Sequence, residues 1–265
     1  MSEHHYFIFP KYPHLSPPNW RELERRLLEE EIILPSVGSQ VLGTALRDLS
    51  LCLAQLPGSH YIYDPMARTT GDVIASYIAA GCLPPDVPIR HDQSVSEAVA
   101  MLRKHGVDLE DGWRLYLDAS DSTWCSDQYR PGPGYARILG DDSLEMQRES
   151  MSLVLLEFDS GGPFVSVGEG MCAPSIPGSE LELEELPPYG NYVDFIGAAY
   201  EDLETQWVSP DGRSYYIMDL DWHWCLGIGH RMIRLSDFDY RDLEELTERI
   251  AELTGQPMSC CHRWL

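Results

Sequence analysis

Asp219, Asp221, His223 and Cys225 alternate with Met218, Leu220, Trp222, Trp224 and Leu226. In an extended strand, side chains alternate faces with a period of two. Read as a strand, the segment from Met218 to Leu226 puts two carboxylates, an imidazole and a thiol on one face. The other face is then a core face. Those donors suit a metal ion, with His230 as a further ligand, and would serve a metal-dependent enzyme. The plainer reading is the wetter face of a half-covered antiparallel sheet. Same-face neighbours lie roughly 6.5–7 Å apart along a strand, so successive residues reach one ion only with help. The expectation is no metal and no cofactor.

Cys260-Cys261-His262 also carries metal-ligand types, but zinc ligands normally stand two to four residues apart and recur elsewhere in the chain. Neighbouring cysteines read better as packed or inert thiols. No Gly-x-Ser-x-Gly elbow is present, and Cys125 and Cys172 lack a nucleophile's signature. Gly161-Gly162 and Gly168-Glu169-Gly170 lead into neither a lysine nor a capped helix, so neither makes a phosphate cradle. The chain is therefore not expected to be an enzyme.

Charge is the stronger signal. The chain holds 43 acidic and 19 basic residues, a formal net charge of −24. From Glu149 to Gly212 there are 13 Asp or Glu residues and no Lys or Arg. A field of one sign repels nucleic acid and anionic lipid and speeds encounter with a basic partner. Glu180, Glu182, Glu184 and Glu185 precede Tyr189 and Tyr192, and Asp194, Glu201, Glu204 and Trp207 follow. Aromatic side chains anchor protein interfaces and charge steers the encounter, so these ten residues form the expected binding surface. A solubilising loop is the alternative, yet a net −24 is several times what solubility needs.

The elements that would position these groups follow from periodicity. His5–Phe9 reads as a short opening strand. A helix is expected after Ser16, with Pro17 and Pro18 near its first turn, and Trp20, Leu23 and Leu27 at helical spacing. Further helices are expected at Thr44–Gln55, from about Thr70 to Ala80, and after the capping-box pair Ser94 and Glu97. Trp113, Leu115 and Leu117 alternate as a half-buried strand, and Arg130-Pro-Gly-Pro-Gly134 reads as a connector. Beyond it come strands at Ser152–Phe158 and Phe164–Val167, then a surface loop from Ala173 to Pro188. A helix on Val193, Ile196, Tyr200 and Leu203 follows, with Asp194, Glu201 and Glu204 on its opposite arc. Asp211-Gly212 marks a hairpin. Strands at Trp222–Leu226 and Met232–Leu235 precede a last helix capped near Ser236, with Leu243, Leu246, Ile250 and Leu253 buried. Helices followed by an antiparallel sheet flanked by helices make an α+β fold. It divides into a helix-rich part over 1–130 and a sheet-bearing part over 135–265, unless the two are one continuous domain.

At 265 residues and 43% hydrophobic content the chain can bury a substantial core. The first ten residues lack the basic start and apolar run of a secretory leader, and no apolar run is long enough to span a bilayer. Seven cysteines without a framework spacing fit free thiols in a reducing cytoplasm.

Length, acidity, α+β element order and the segments Tyr189-Gly-Asn-Tyr-Val-Asp-Phe-Ile196 and Asp219-Leu-Asp-Trp-His-Trp224 together resemble bacterial immunity proteins. In particular the chain looks like the TsiT-like family, which protects against restriction-endonuclease-type nuclease effectors of type VI secretion. The likeness covers the C-terminal half better than the first 110 residues. It implies a cytoplasmic antidote that binds and neutralises a cognate toxin with a basic surface, and it transfers no residue role. A metal-dependent enzyme built on Asp219, Asp221 and His223, or an acidic adaptor of a secretion system, are the other readings.

Overall fold

The computed structural model describes residues 4–109, 123–139, 151–159, 161–168, 170–239 and 241–264. The strand expected around Trp113 to Leu117 lies outside them. By internal packing the chain forms two units, one of residues 1–26 with 155–265 and the other of residues 27–154. The divisions therefore fall at 26/27 and 154/155 and not at the Pro-Gly run.

In the first unit the opening strand β1 (His4–Pro10) is an interior strand of the main sheet, paired on both edges. It pairs antiparallel with β10 (Arg231–Ser236), where Ile8 faces Ile233, and with β11 (Met258–Trp264), where Phe7 faces Cys261. Phe7, Ile8 and Phe9 are all fully buried, so the strand is covered on both faces. A second ladder joins β6 (Phe164–Val167) to β9 (Leu226–Gly229). Gly227 is needed there, because a Cβ would stand 2.7 Å from the Cys261 sulfur and 2.8 Å from the Phe9 ring. The β9 backbone can thus lie directly against the main sheet. Trp20 donates its indole N–H to the Met232 carbonyl at 3.1 Å, which explains how a polar ring sits fully buried.

Helix α7 (Arg241–Thr254) packs on β11 and buries Leu243, Leu246, Ile250 and Leu253, the stripe that its period predicts. Its start is not at Ser236, which closes β10 and hydrogen-bonds His5; the first turn bond runs from Asp242 N–H to the Asp239 carbonyl. The β5 strand (Ser152–Glu157) and the hairpin of β7 (Gln206–Val208) and β8 (Ser214–Tyr216) stand where expected. Helix α6 (Tyr192–Glu201) is present, but its buried residues are Phe195 and Ala199. Val193 and Tyr200 are 57% and 44% exposed, and Leu203 lies beyond the helix end.

The second unit is built on α2 (Gly43–Ala54), α3 (Thr70–Ala79) and α4 (Val95–Lys104), which bury Leu49, Leu53, Ile74, Tyr77 and Leu102 in one cluster. The Ser94–Glu97 capping box is formed: Ser94 N–H donates to Glu97 at 2.8 Å and Glu97 N–H to Ser94 at 3.3 Å. A second box, Thr69 with Asp72, starts α3. Helix α1 (Trp20–Glu29) begins one residue after Asn19, whose side chain accepts the N–H groups of Arg21 and Glu22, so the cap is Asn19 and the prolines lie outside.

The run Arg130–Gly134 is not a connector. It forms β4 (Arg130–Pro131), paired with β2 (Ile33–Leu34), and opens the helix α5 (Pro133–Leu139). Pro131, Gly132 and Gly134 are buried, and a Cβ on either glycine would collide with the carbonyl of Glu31 or Glu30. The glycines serve close approach here, not flexibility.

Candidate functional site

Residues 173–186 are more ordered than a surface loop. Ser175 is buried and exchanges both backbone hydrogen bonds with Asp221, at 2.9 and 2.8 Å, while it also bridges Glu182. Leu183 N–H donates to the Pro174 carbonyl at 2.8 Å. The result is a tight hairpin with Gly178 at positive φ near its tip, pinned at its base to the segment around Asp221. Glu180, Glu182, Glu184 and Glu185 are all exposed on it, with Leu181 71% exposed among them.

The segment from Met218 to Leu226 is not a strand. Ile217–Asp219 is a turn of 3-10 helix, and a strand begins only at Leu226. Asp219 accepts the Tyr216 N–H at 2.9 Å, and Asp221 accepts the His223 N–H at 2.9 Å. These carboxylates shape their own turn, as short acidic side chains commonly do. The Trp222 indole donates to the Ile217 carbonyl at 2.7 Å and closes the bend. His223 and Trp224 then adopt φ of 50° and 66°, uncommon for side-chain-bearing residues. The Trp224 carbonyl accepts the His262 N–H at 2.8 Å, which ties this strained turn to β11. The alternative reading of a metal site on a shared strand face thus loses its geometric premise. Among the described residues no three His, Cys, Asp or Glu side chains are grouped to hold a metal ion.

What the turn does build is a groove of about 580 Å³. Asp219 and Asp221 line it from the turn and Glu244 and Glu248 from α7, with Lys11 as the one cation of the lining. Trp224 lines it too and is 36% exposed, and Pro177 brings in the acidic hairpin. An indole beside carboxylates is suited to a cationic side chain, which can stack on the ring and pair with the acids.

The aromatic residues of the acidic segment divide by depth. Tyr189 donates its hydroxyl to the Gln206 carbonyl at 3.2 Å and leans on Phe195, ring centroids 5.0 Å apart. Tyr192 meets Trp222 edge-on at 6.4 Å. Both are half-buried, with surface left to offer. Trp207 is 2% exposed and tilts against Tyr215, so it supports the hairpin from beneath and cannot serve as a contact residue. Asp194, Glu201 and Glu204 are exposed as expected. Alternation of apolar and polar residues hid Trp224 inside an apparent core face; the residues before it gave no sign of the left-handed turn that lifts it out.

Burial pushes the Cys261 thiol up to about 12, and burial likewise raises Cys260. Both are poor nucleophiles and poor ligands in this state, as neutral thiols are. A second cavity, of about 350 Å³, lies in the other unit between α2, α3 and the segment around Tyr61–Arg68, floored by Ile62, Val73 and Tyr77. Among the described residues no helix is long and apolar enough to cross a membrane. Neither a protein-family model nor any curated protein or solved structure matches the chain.

Proposed function

We propose that this chain is an immunity protein that binds and neutralises a cognate secreted bacterial toxin, a nuclease with a basic surface of the kind delivered by type VI secretion. The observation that carries this reading is the groove lined by Asp219, Asp221, Glu244 and Glu248 together with the part-exposed Trp224. It is continuous, through Pro177, with the hairpin bearing four exposed glutamates. A nuclease must present cations to a phosphate backbone, and carboxylates held at a surface imitate that phosphate. The long-range field brings the basic face in, and the groove then takes one of its Arg or Lys side chains. Inhibition is stoichiometric and takes place in the cytoplasm, so no catalysis is assigned to this chain. The metal-dependent alternative has no supporting geometry in the turn that would carry it.

The test is growth of cells producing the toxin encoded beside this gene, with and without this chain. Survival only on co-expression, together with a complex on a sizing column at low salt, is the expected result. Equal growth in both cases and no complex would falsify the reading.

A further inference from the structure

Cys172 and Cys225, 53 residues apart in sequence, hold their sulfurs 3.9 Å apart, and both are partly exposed free thiols. The contact is framed by backbone. Ser175 and Asp221, a few residues from each, exchange two hydrogen bonds, and the Cys225 sulfur also faces the carbonyls of Gly170 and His223. A disulfide needs sulfurs about 2.05 Å apart, so about 2 Å of approach completes the bond. Cys172 lies in an irregular segment and Cys225 in the residue before β9, where side-chain rotation meets little ladder constraint. The other thiols are placed differently. Cys52 and Cys261 are buried, Cys82 contacts its own helix end at the Ala80 carbonyl, the Cys125 sulfur faces the Ser126 carbonyl at 3.4 Å, and Cys260 and Cys261 point to opposite faces of β11.

The geometry points to Cys172 and Cys225 as an oxidation site that closes to a disulfide on exposure to a peroxide and thereby locks the base of the acidic hairpin. One thiolate sulfur attacks a peroxide oxygen; the O–O bond breaks, leaving a sulfenic acid and, after protonation, water. The second thiol attacks the sulfenic sulfur; the S–S bond forms, the S–O bond breaks and a second water leaves. In sum, two thiols and one hydrogen peroxide give a disulfide and two waters. Burial, the neighbouring Cys225 and Glu182 all push the Cys172 thiol up, so the reaction quickens as pH rises. Closure joins the hairpin's root to the turn that presents Trp224. It is independent of any partner.

The sequence makes the product easy to read. Trypsin cuts after Arg148, Arg213 and Arg231, so Cys172 and Cys225 fall in two different peptides, each with no other cysteine. Native protein treated with modest hydrogen peroxide and digested without reductant should yield these two peptides joined and two hydrogens lighter. Two of the seven thiols should be lost to titration and recovered with dithiothreitol. Oxidised protein should also be cut several-fold more slowly by glutamyl endopeptidase at Glu180–Glu185, a slowing absent from Cys172→Ser and Cys225→Ser. A Cys225–Cys261 link, separate sulfenic or sulfonic acids on the two thiols, or a 172–225 link formed only after denaturation would overturn the assignment. Unchanged cleavage of the linked protein would overturn the locking of the hairpin.

Discussion

Asp219 and Asp221 each hold a backbone N–H of their own turn, and that turn lifts Trp224 to the surface while Trp222 stays buried. Two tryptophans two positions apart thus have opposite duties, and Trp207 sides with the buried one. Trp224→Ala should leave the melting temperature nearly unchanged but raise the off-rate from the partner by about 2 kcal/mol, as an anchor residue does. Trp207→Ala should instead destabilise the fold by about 3–5 kcal/mol in chemical denaturation. The acid limb of stability is also set by single residues. The Arg68 N–H, with Thr69, holds the Asp72 carboxyl below its usual range, and the Arg231 guanidinium does the same for Asp159. A depressed folded value means stability that is present above the unfolded value, about 3.9, and is lost as pH falls through the folded one. Denaturation midpoints should therefore fall on acidification below about pH 4, less steeply for Asp72→Asn and Asp159→Asn.

At the level of elements, α4 was legible from its Ser94–Glu97 capping box, and α7 from its apolar stripe, although it starts later than the expected cap at Ser236. Ser94→Ala should accordingly cost about 1 kcal/mol, read from the denaturant midpoint. The segment Met218–Leu226 misled because apolar and polar residues alternate along it as in a strand, although it folds as a 3-10 turn followed by a bend that exposes Trp224. Helix α6 misled in the opposite sense: Val193, Ile196 and Tyr200 keep helical spacing, yet Phe195 and Ala199 are the residues that face the core. The exposed acidic run of Glu180, Glu182, Glu184 and Glu185 was legible from charge alone; the groove was not, since Glu244 and Glu248 come from a helix distant in sequence. Likewise Arg130–Gly134 carries the composition of a connector but is packed against Glu30 and Glu31. Limited proteolysis should thus begin within residues 177–181, at the hairpin tip, and early cleavage at 130–134 would contradict the packing described.

For the whole molecule, the α+β fold class could be read from the sequence and the pairing of the chain's two ends could not. An interior strand of the sheet, β1, comes from the first ten residues and its two neighbours from the last thirty-five, a pairing that no local pattern reveals. Net charge acts at this scale too. A formal −24 repels itself, so added salt should raise the melting temperature even as it screens attraction to a basic partner. The central claim is that the acidic surface steers and receives such a partner. The most direct test is the association rate with the proposed partner, the product of the neighbouring gene, measured against ionic strength. The on-rate should fall steeply with salt while the off-rate changes far less, and charge reversal at Glu182, Glu184 and Glu185 should lower both the rate and its salt slope. An on-rate indifferent to salt and to those reversals would contradict the account.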